Sequence, residues 1–202
     1  GRFPEAEEAY RKSVSLDPGN GPAWVHLGNV ALELGKAGGA REALEHFIAI
    51  TPSNGEGYYR LGVALEKMNF FARAEEAFLR AIALGRSEPR VWFRAGSVRE
   101  RLRNLDGAVE AYMKALEGDP RDSRVWFQLG RCEAARGHHA EALSAFDRVL
   151  EITPDDLPAL TARAEALVQL GRFEEGLVGA RRVIERDPSQ AMAWFLEGRC
   201  LS

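Results

Sequence analysis

The sequence has very little cysteine, no excess of positive charge and no long hydrophobic run. Its two cysteines, Cys132 and Cys200, are too few for the disulfide framework that stabilises small secreted domains. A formal net charge of -3 argues against a main task of binding nucleic acid phosphates. No stretch approaches the roughly 18 consecutive apolar residues of a membrane-spanning helix. We therefore expect reduced thiols, no nucleic acid partner and no direct insertion into a membrane.

Motifs for catalysis or cofactor binding are also missing. The sequence has no glycine-rich phosphate loop and no nucleophile elbow. His138 and His139 are adjacent, but no cysteine or acidic cluster accompanies them at the spacing of metal ligands. Asp155 and Asp156 precede a helical pattern, so a helix cap explains them better than a catalytic pair. We expect no enzyme activity, no cofactor and no metal site.

A period of 34 residues organises the chain. The segment RVWF occurs at 90–93 and again at 124–127, one period apart. Prolines recur with the same period, at Pro18, Pro52, Pro120, Pro154 and Pro188. Arg86 takes the remaining place on this grid. The sequence thus predicts a single array made of a half repeat (1–20), five full repeats (21–54, 55–88, 89–122, 123–156 and 157–190) and a partial repeat (191–202).

Each full repeat contains two helical patterns. Positions 4, 7, 8 and 11 of the repeat share one face of the first helix and predict its buried stripe. Position 4 carries large side chains (Trp24, Tyr58, Trp92, Trp126), and position 8 carries glycine (Gly28, Gly62, Gly96, Gly130). The second helix has alanine at position 20 and a large residue at position 24 (Leu44, Phe78, Tyr112, Phe146). Glycine marks the turn between the helices, and we expect Gly85 to end its helix in a left-handed conformation and Asp122 and Asp156 to cap helices.

This pattern of Trp-x-x-Leu-Gly, then alanine, aromatic residue, alanine and proline, resembles the tetratricopeptide repeat (TPR) family along the whole chain. Pentatricopeptide repeats, which have a longer period and lack the tryptophan and glycine pattern, fit less well. The resemblance implies an all-α fold of about 12 helices, arranged as antiparallel pairs in a right-handed superhelical solenoid. It also implies that the first helices line the concave side.

The two ends of the sequence match only parts of a repeat. The first residues correspond to a second helix, and residues 191–202 correspond to a first helix. Because solenoids need polar capping units at their ends, we expect the chain to be a piece of a longer array. Self-association through exposed ends is then one possible property of the chain.

The face of the first helix opposite the buried stripe predicts a binding groove. In the resembled family this face holds extended peptides or a helix of a partner. Here it carries aromatic rings interleaved with guanidinium groups, which favours an acidic, partly hydrophobic protein or peptide segment. The candidate groove residues are Asn29, Tyr59, Arg60, Arg90, Phe93, Arg94, Arg101, Arg124, Phe127, Gln128 and Arg131.

Two alternatives apply to these groove residues. The aromatic rings could pack against neighbouring first helices, and Glu56, Glu66 and Glu100 could neutralise the arginines within the groove. Chaperone-binding members of the resembled family use a clamp for two carboxylates. Asn29, Arg90 and Arg94 match that clamp but Val25 and Arg60 do not, so chaperone tails are not the expected ligands.

The sequence therefore predicts a protein interaction scaffold without catalytic activity. Two other functions remain open: a structural solenoid that assembles with copies of itself, and a targeting module of a larger enzyme. We expect a cytoplasmic location, although a signal or anchor in a longer parent chain would change it.

Overall fold

Helices are the only regular secondary structure within residues 2–202, the part described by the computed structural model. Its helices are α1 (Phe3–Leu16), α2 (Gly21–Glu33), α3 (Ala37–Ile50), α4 (Gly55–Lys67), α5 (Phe71–Ala83), α6 (Pro89–Arg101), α7 (Leu105–Gly118), α8 (Ser123–Ala135), α9 (His139–Ile152), α10 (Leu157–Gln169), α11 (Phe173–Arg186) and α12 (Ala191–Leu201). The prediction of an all-α fold with about 12 helices is confirmed. None of these helices is both long and apolar enough to cross a membrane.

Two compact units divide the described residues after Arg103. In the first unit, α1–α6, each helix packs against the next along the chain, and α2 also contacts α4. In the second unit, α7–α12, the same order holds, and α8 contacts α10, which contacts α12. The even-numbered helices are the predicted first helices of each repeat. Within each unit, contacts between successive first helices build the wall that carries the predicted binding face.

Glycine at position 8 lets the two helices of a repeat approach closely. A Cβ atom added to Gly62 would lie 2.6 Å from the Phe78 ring, and one added to Gly130 would lie 2.6 Å from the Phe146 ring. Both phenylalanines, at position 24, are buried. The glycine of the first helix thus packs directly against the large residue of the second helix.

The buried stripe of the first helix differs from the prediction at position 4. In α8, Val125, Leu129 and Cys132 are buried, whereas Trp126 is only half-buried. The indole Nε1 of Trp126 donates a hydrogen bond to the carbonyl oxygen of Pro120, 2.9 Å away. An indole that donates to a loop carbonyl must stay near the surface, because that loop lies on the outside of the repeat.

Local turn and cap signals were predicted correctly. Gly85 has a φ of 89°, in the left-handed region, and ends its helix as expected. Asp122 and Asp156 accept hydrogen bonds from the first turns of α8 and α10. Gly35, Gly137 and Gly171, in the turns between the two helices of a repeat, also have positive φ values. In two other repeats the same turn position is held by Asn69 and Arg103, which have positive φ values although they are not glycines.

Two charged residues occupy position 11, which belongs to the predicted buried stripe. Arg99 forms an ion pair of 2.7 Å with Glu75 of α5. Glu133 is buried in α8 and lies 2.8 Å from Arg136 and 3.0 Å from the Nδ1 of His138. Each charge is therefore compensated locally, as burial requires. Cys132 is buried, Cys200 is half-buried, and they form no disulfide bond among the described residues.

Candidate ligand-binding surface

Tyr59 of α4 lies at the centre of the predicted binding face in the first unit. Its ring packs at a tilt against Phe78, with the ring centroids 6.1 Å apart. From α6, the guanidinium carbon of Arg90 lies 5.2 Å from the Tyr59 ring centroid, and the Arg94 guanidinium also interacts with the Tyr59 side chain. Arg90 and Arg94 are about one turn apart, so both reach the same ring. The structure thus brings three predicted residues into contact.

Arg94 is held by an internal ion pair. Its Nη1 donates a hydrogen bond of 2.7 Å to the Oε2 of Glu66, which is also on α4. Burial disfavours the charged guanidinium, but the attraction of Glu66 and the contact with Tyr59 outweigh it, so the pKa of Arg94 is raised above its ordinary value. The positive charge of Arg94 is therefore retained and already compensated.

Arg60 is compensated in the same way. Its Nε lies 2.6 Å from the Oε1 of Glu56, one turn earlier in α4. Glu56 also pairs with Arg86, which in turn lies 2.9 Å from Glu88. Glu56 and Glu66 thus neutralise Arg60 and Arg94 within the face, which is one of the two alternatives that the sequence left open.

Arg90 and Arg101 are different, because no carboxylate among residues 2–202 forms an ion pair with either. Arg90 is exposed and stacked on Tyr59. Arg101 is exposed at the other end of α6, where its guanidinium carbon lies 4.9 Å from the ring centroid of Phe71. Phe71 begins α5, a second helix, so Arg101 does not join the group around Tyr59. In this unit Arg90 is the cation best placed on the predicted face.

Asn29 and Phe93 are the remaining predicted residues of the first unit. Both are half-buried, Asn29 in α2 and Phe93 in α6 beside Arg94. The side-chain oxygen of Asn29 is buried without a hydrogen-bond partner among the described residues. Asn29 is on α2, whereas the contacts described above for Tyr59 come from α5 and α6.

In the second unit, Phe127 of α8 is a packing residue as well as a surface residue. Its ring lies at a tilt against Phe146 of α9, with 5.8 Å between centroids. It covers a buried cluster that also includes Leu143 and Leu167. The alternative that position 5 aromatics serve packing therefore applies to Phe127.

Arg131 lines an open cavity between α8 and α10. The Nη1 of Arg131 donates a hydrogen bond of 2.9 Å to the Oε1 of Gln128. The cavity has a volume of about 360 Å³ and is lined by Arg131, Ala134, Ala135, His139, Phe146, Ala162, Glu165, Ala166 and Gln169. The Nδ1 of His139 is buried without a hydrogen-bond partner among the described residues. This cavity offers both apolar and polar contacts to a ligand.

Arg124 turns back onto the cap of its own helix. Its Nε and Nη2 donate hydrogen bonds of 3.0 Å and 2.7 Å to the two carboxylate oxygens of Asp122. This hydrogen bonding is the main cause of a lowered pKa of Asp122 and a raised pKa of Arg124. Arg90 and Arg124 occupy the same position in successive repeats, yet one lies on an aromatic ring and the other on a carboxylate.

A helical wheel, which gives only the face on which each residue lies, does not predict the cavity between α8 and α10. It exists because alanines line both helices, at residues 134 and 135 of α8 and 162 and 166 of α10. A comparison of side-chain size between adjacent first helices would have indicated it. His139, the first residue of α9, also contributes to this cavity.

Comparison with protein families covers nearly the whole chain. One family model described as tetratricopeptide repeat matches residues 1–55, 59–123 and 99–156, and a second with the same description matches residues 133–200. No curated protein has a significantly similar sequence.

Several solved structures have the same fold. YrrB, described as a TPR protein with an unusual peptide-binding site, is 21% identical and has a TM-score of 0.86 over 95% of this chain and 99% of YrrB. A crystal structure of MamA is 30% identical, with a TM-score of 0.74 over 76% of this chain and 90% of MamA. The C-terminal part of a TPR repeat-containing protein from Cytophaga hutchinsonii is 18% identical, with a TM-score of 0.74 over 98% of this chain and 73% of that one.

Proposed function

The chain belongs to the tetratricopeptide repeat family, and from this premise we propose that it is a protein interaction scaffold. Its ligand is an extended segment of another protein, acidic and partly hydrophobic, bound on the faces of the first helices. The similarity to YrrB, a protein described as having a peptide-binding site, supports this class of function. The first unit supports the negative charge of the ligand, and the second unit supports its partly hydrophobic character.

Arg90 carries the proposal for an acidic ligand. Its guanidinium is exposed and lies over the Tyr59 ring, while Arg60 and Arg94 are neutralised by Glu56 and Glu66. A ring beneath a guanidinium restricts its orientation and leaves its planar edge open to a carboxylate. A carboxylate of the ligand would therefore bind Arg90 without having to break an existing ion pair.

The cavity between α8 and α10 supports a partly hydrophobic ligand. Alanine side chains and Phe146 form its apolar part, and Arg131, Glu165 and the Nδ1 of His139 supply polar contacts. Ligand sites typically combine an apolar lining with a few polar groups that fix orientation. We propose that an apolar side chain of a segment bound to the second unit enters this cavity. Phe127 contributes less than the sequence suggested, because its ring already packs against Phe146.

A peptide selection followed by a matched pair of variants tests this function. Random 12-residue peptides displayed on phage are selected on the wild-type protein, and the best binder is measured by fluorescence anisotropy. Asp and Glu should be enriched. Arg90→Ala should weaken binding about tenfold, because a hydrogen bond to a charged group contributes about 1.5–3 kcal/mol, and the loss should shrink at high salt.

Arg124→Ala is the matched control, since it removes an arginine at the same repeat position that already pairs with Asp122. It should change affinity less than about twofold, in keeping with the small effect of an exposed pair. Selected peptides without acidic enrichment, or equal losses in the two variants, would contradict the proposal.

A further inference from the structure

A second cavity lies in the second unit, on the side formed by second helices. It is bordered by α7 and α9 and floored by α8, and its volume is about 440 Å³. Its lining residues are Met113, Leu116, Glu117, Trp126, Leu129, Glu133, Glu141, Ser144 and Ala145. We call this cavity the outer groove. None of its residues belongs to the binding face proposed above.

Comparison with the first unit explains why the outer groove is open. In the equivalent place between α3 and α5, Glu45 and Arg73 form an ion pair of 2.9 Å that spans the two helices. The residues at the same repeat positions in the second unit are Met113 and Glu141, which cannot form an ion pair. Met113 and Glu141 therefore do not connect α7 to α9 as Glu45 and Arg73 connect α3 to α5.

A short side chain widens the groove further. Ser144 occupies position 22 of its repeat, where the three preceding repeats carry glutamate, at Glu42, Glu76 and Glu110. Ser144 is followed by Ala145, which is buried. The side chains of α9 are therefore short on this side of the groove, and a ligand can contact the α8 residues that line it.

The floor and one wall of the outer groove are apolar. Leu116 and Leu129 are buried but line the cavity, and Met113 is 56% exposed above them. Trp126 is held in place by its hydrogen bond with Pro120. Methionine is unbranched and adapts to different apolar partners, so Met113 suits a surface that closes over a guest side chain.

Negative charge surrounds this apolar floor. Glu117 and Glu141 are exposed at the rim, and Glu133 lies in the floor. Of the three carboxylates that line the groove, Glu117 pairs with Lys114, and Glu133 lies beside Arg136 and His138. Glu141 has no ion pair among the described residues. The local balance therefore favours a positively charged ligand.

We propose that the outer groove binds a short basic segment of a partner protein, which inserts one bulky apolar side chain flanked by Lys or Arg. The apolar side chain covers Leu116 and Leu129 beneath Met113, and a flanking cation pairs with Glu141. The volume lies within the range of about 300–1,000 Å³ that is typical of ligand sites. Because the segment is basic, it differs from the acidic ligand of the first-helix face, and the two sites can be tested separately.

The methionine methyl groups allow a direct test on the intact protein. The chain has three methionines, Met68, Met113 and Met192, so methyl-labelled methionine gives three NMR signals, and Met113→Leu assigns the signal of interest. The probes are three 12-residue peptides with a central Trp-Leu pair flanked by Lys and Arg, by Gln, or by Glu. The basic peptide should shift the Met113 signal and leave those of Met68 and Met192 in place, and the acidic peptide should shift none.

A double variant closes the groove with the ion pair that the first unit uses. Met113→Glu with Glu141→Arg places at this site the side chains of Glu45 and Arg73, and it should reduce affinity for the basic peptide at least tenfold without lowering the melting temperature. The control, Met192→Glu with Glu174→Arg, makes the same two changes on α12 and α11 and should bind as the wild type does.

Three results would overturn this proposal. They are the absence of a Met113 shift with basic peptide up to about 1 mM, equal binding of acidic and basic peptides, and equal affinities of the two double variants. Arg90→Ala should leave this binding unchanged, so failure of the outer groove and failure of the first-helix face are distinguishable.

Discussion

Trp126 donates a hydrogen bond to the carbonyl oxygen of Pro120, six residues earlier in the chain. The same bond joins Trp24 to Pro18 at 2.8 Å and Trp194 to Pro188 at 2.9 Å. It links the first helix of a repeat to the loop before it, so the periodic proline and tryptophan act together. In the repeat where Arg86 replaces the proline, no such bond to Trp92 is found among the described residues.

Replacing tryptophan by phenylalanine should reveal the contribution of this bond. Trp126→Phe loses both ring area and the hydrogen bond, whereas Trp92→Phe loses ring area alone. We expect Trp126→Phe to lower the free energy of unfolding by about 1 kcal/mol more than Trp92→Phe, the usual net contribution of a hydrogen bond. Urea unfolding followed by circular dichroism measures both changes, and equal losses would show that the bond contributes nothing.

Glycine at position 8 should be required only where the second helix packs against it. In Gly130→Ala the new Cβ would lie 2.6 Å from the Phe146 ring, so the ring must move, and we expect a loss of about 1–3 kcal/mol of stability. In Gly198→Ala no atom lies within 4 Å of the new Cβ. That variant should gain about 0.5–1 kcal/mol from helix propensity. A similar result for both would mean that the close helix approach is not the reason for glycine here.

The sequence predicted features that depend on neighbours along the chain. The caps at Asp122 and Asp156 and the left-handed Gly85 were predicted from residue type and position, and the structure confirms them. These features are local because a cap or a turn is completed within about four residues. The repeat period then extended this information over the whole chain.

The candidate site was less predictable, because a helical wheel gives the face of a residue but not its partner. It placed Arg90 and Arg124 on one face, but it could not show that Arg124 turns back to Asp122 while Arg90 crosses to Tyr59. The outer groove depends on a pair 28 residues apart, Met113 and Glu141, in place of the ion pair that Glu45 and Arg73 form in the first unit. Residues this far apart in the chain become neighbours only when the helices pack together, so the sequence alone does not show which of them are in contact.

The Arg124 and Asp122 contact can be tested by titration. A lowered folded-state pKa means that Asp122 contributes stability above its unfolded pKa, about 3.9, and that this contribution is lost as the pH falls through the lower folded value. In Arg124→Ala the pKa of Asp122 should rise, while the backbone N–H of residue 124 still holds it below its ordinary range. Carboxylate NMR titration measures this pKa, and Arg90→Ala, which leaves the pair intact, should not move it.

Glu66 offers a way to strengthen the proposed acidic ligand rather than to weaken it. Glu66→Gln removes the carboxylate that neutralises Arg94, so two uncompensated guanidinium groups, those of Arg90 and Arg94, would lie against Tyr59. An acidic peptide that binds this face should then bind several-fold more tightly at low salt, because each added charge pair in this partly buried setting contributes about 1 kcal/mol or more. Glu45→Gln makes the same change of charge at the Glu45 and Arg73 ion pair between the second helices α3 and α5 and should leave the affinity unchanged. If Glu66→Gln weakens binding instead, Arg94 serves the ligand only as part of its ion pair, and the charge of this face would have to be assigned to Arg90 alone.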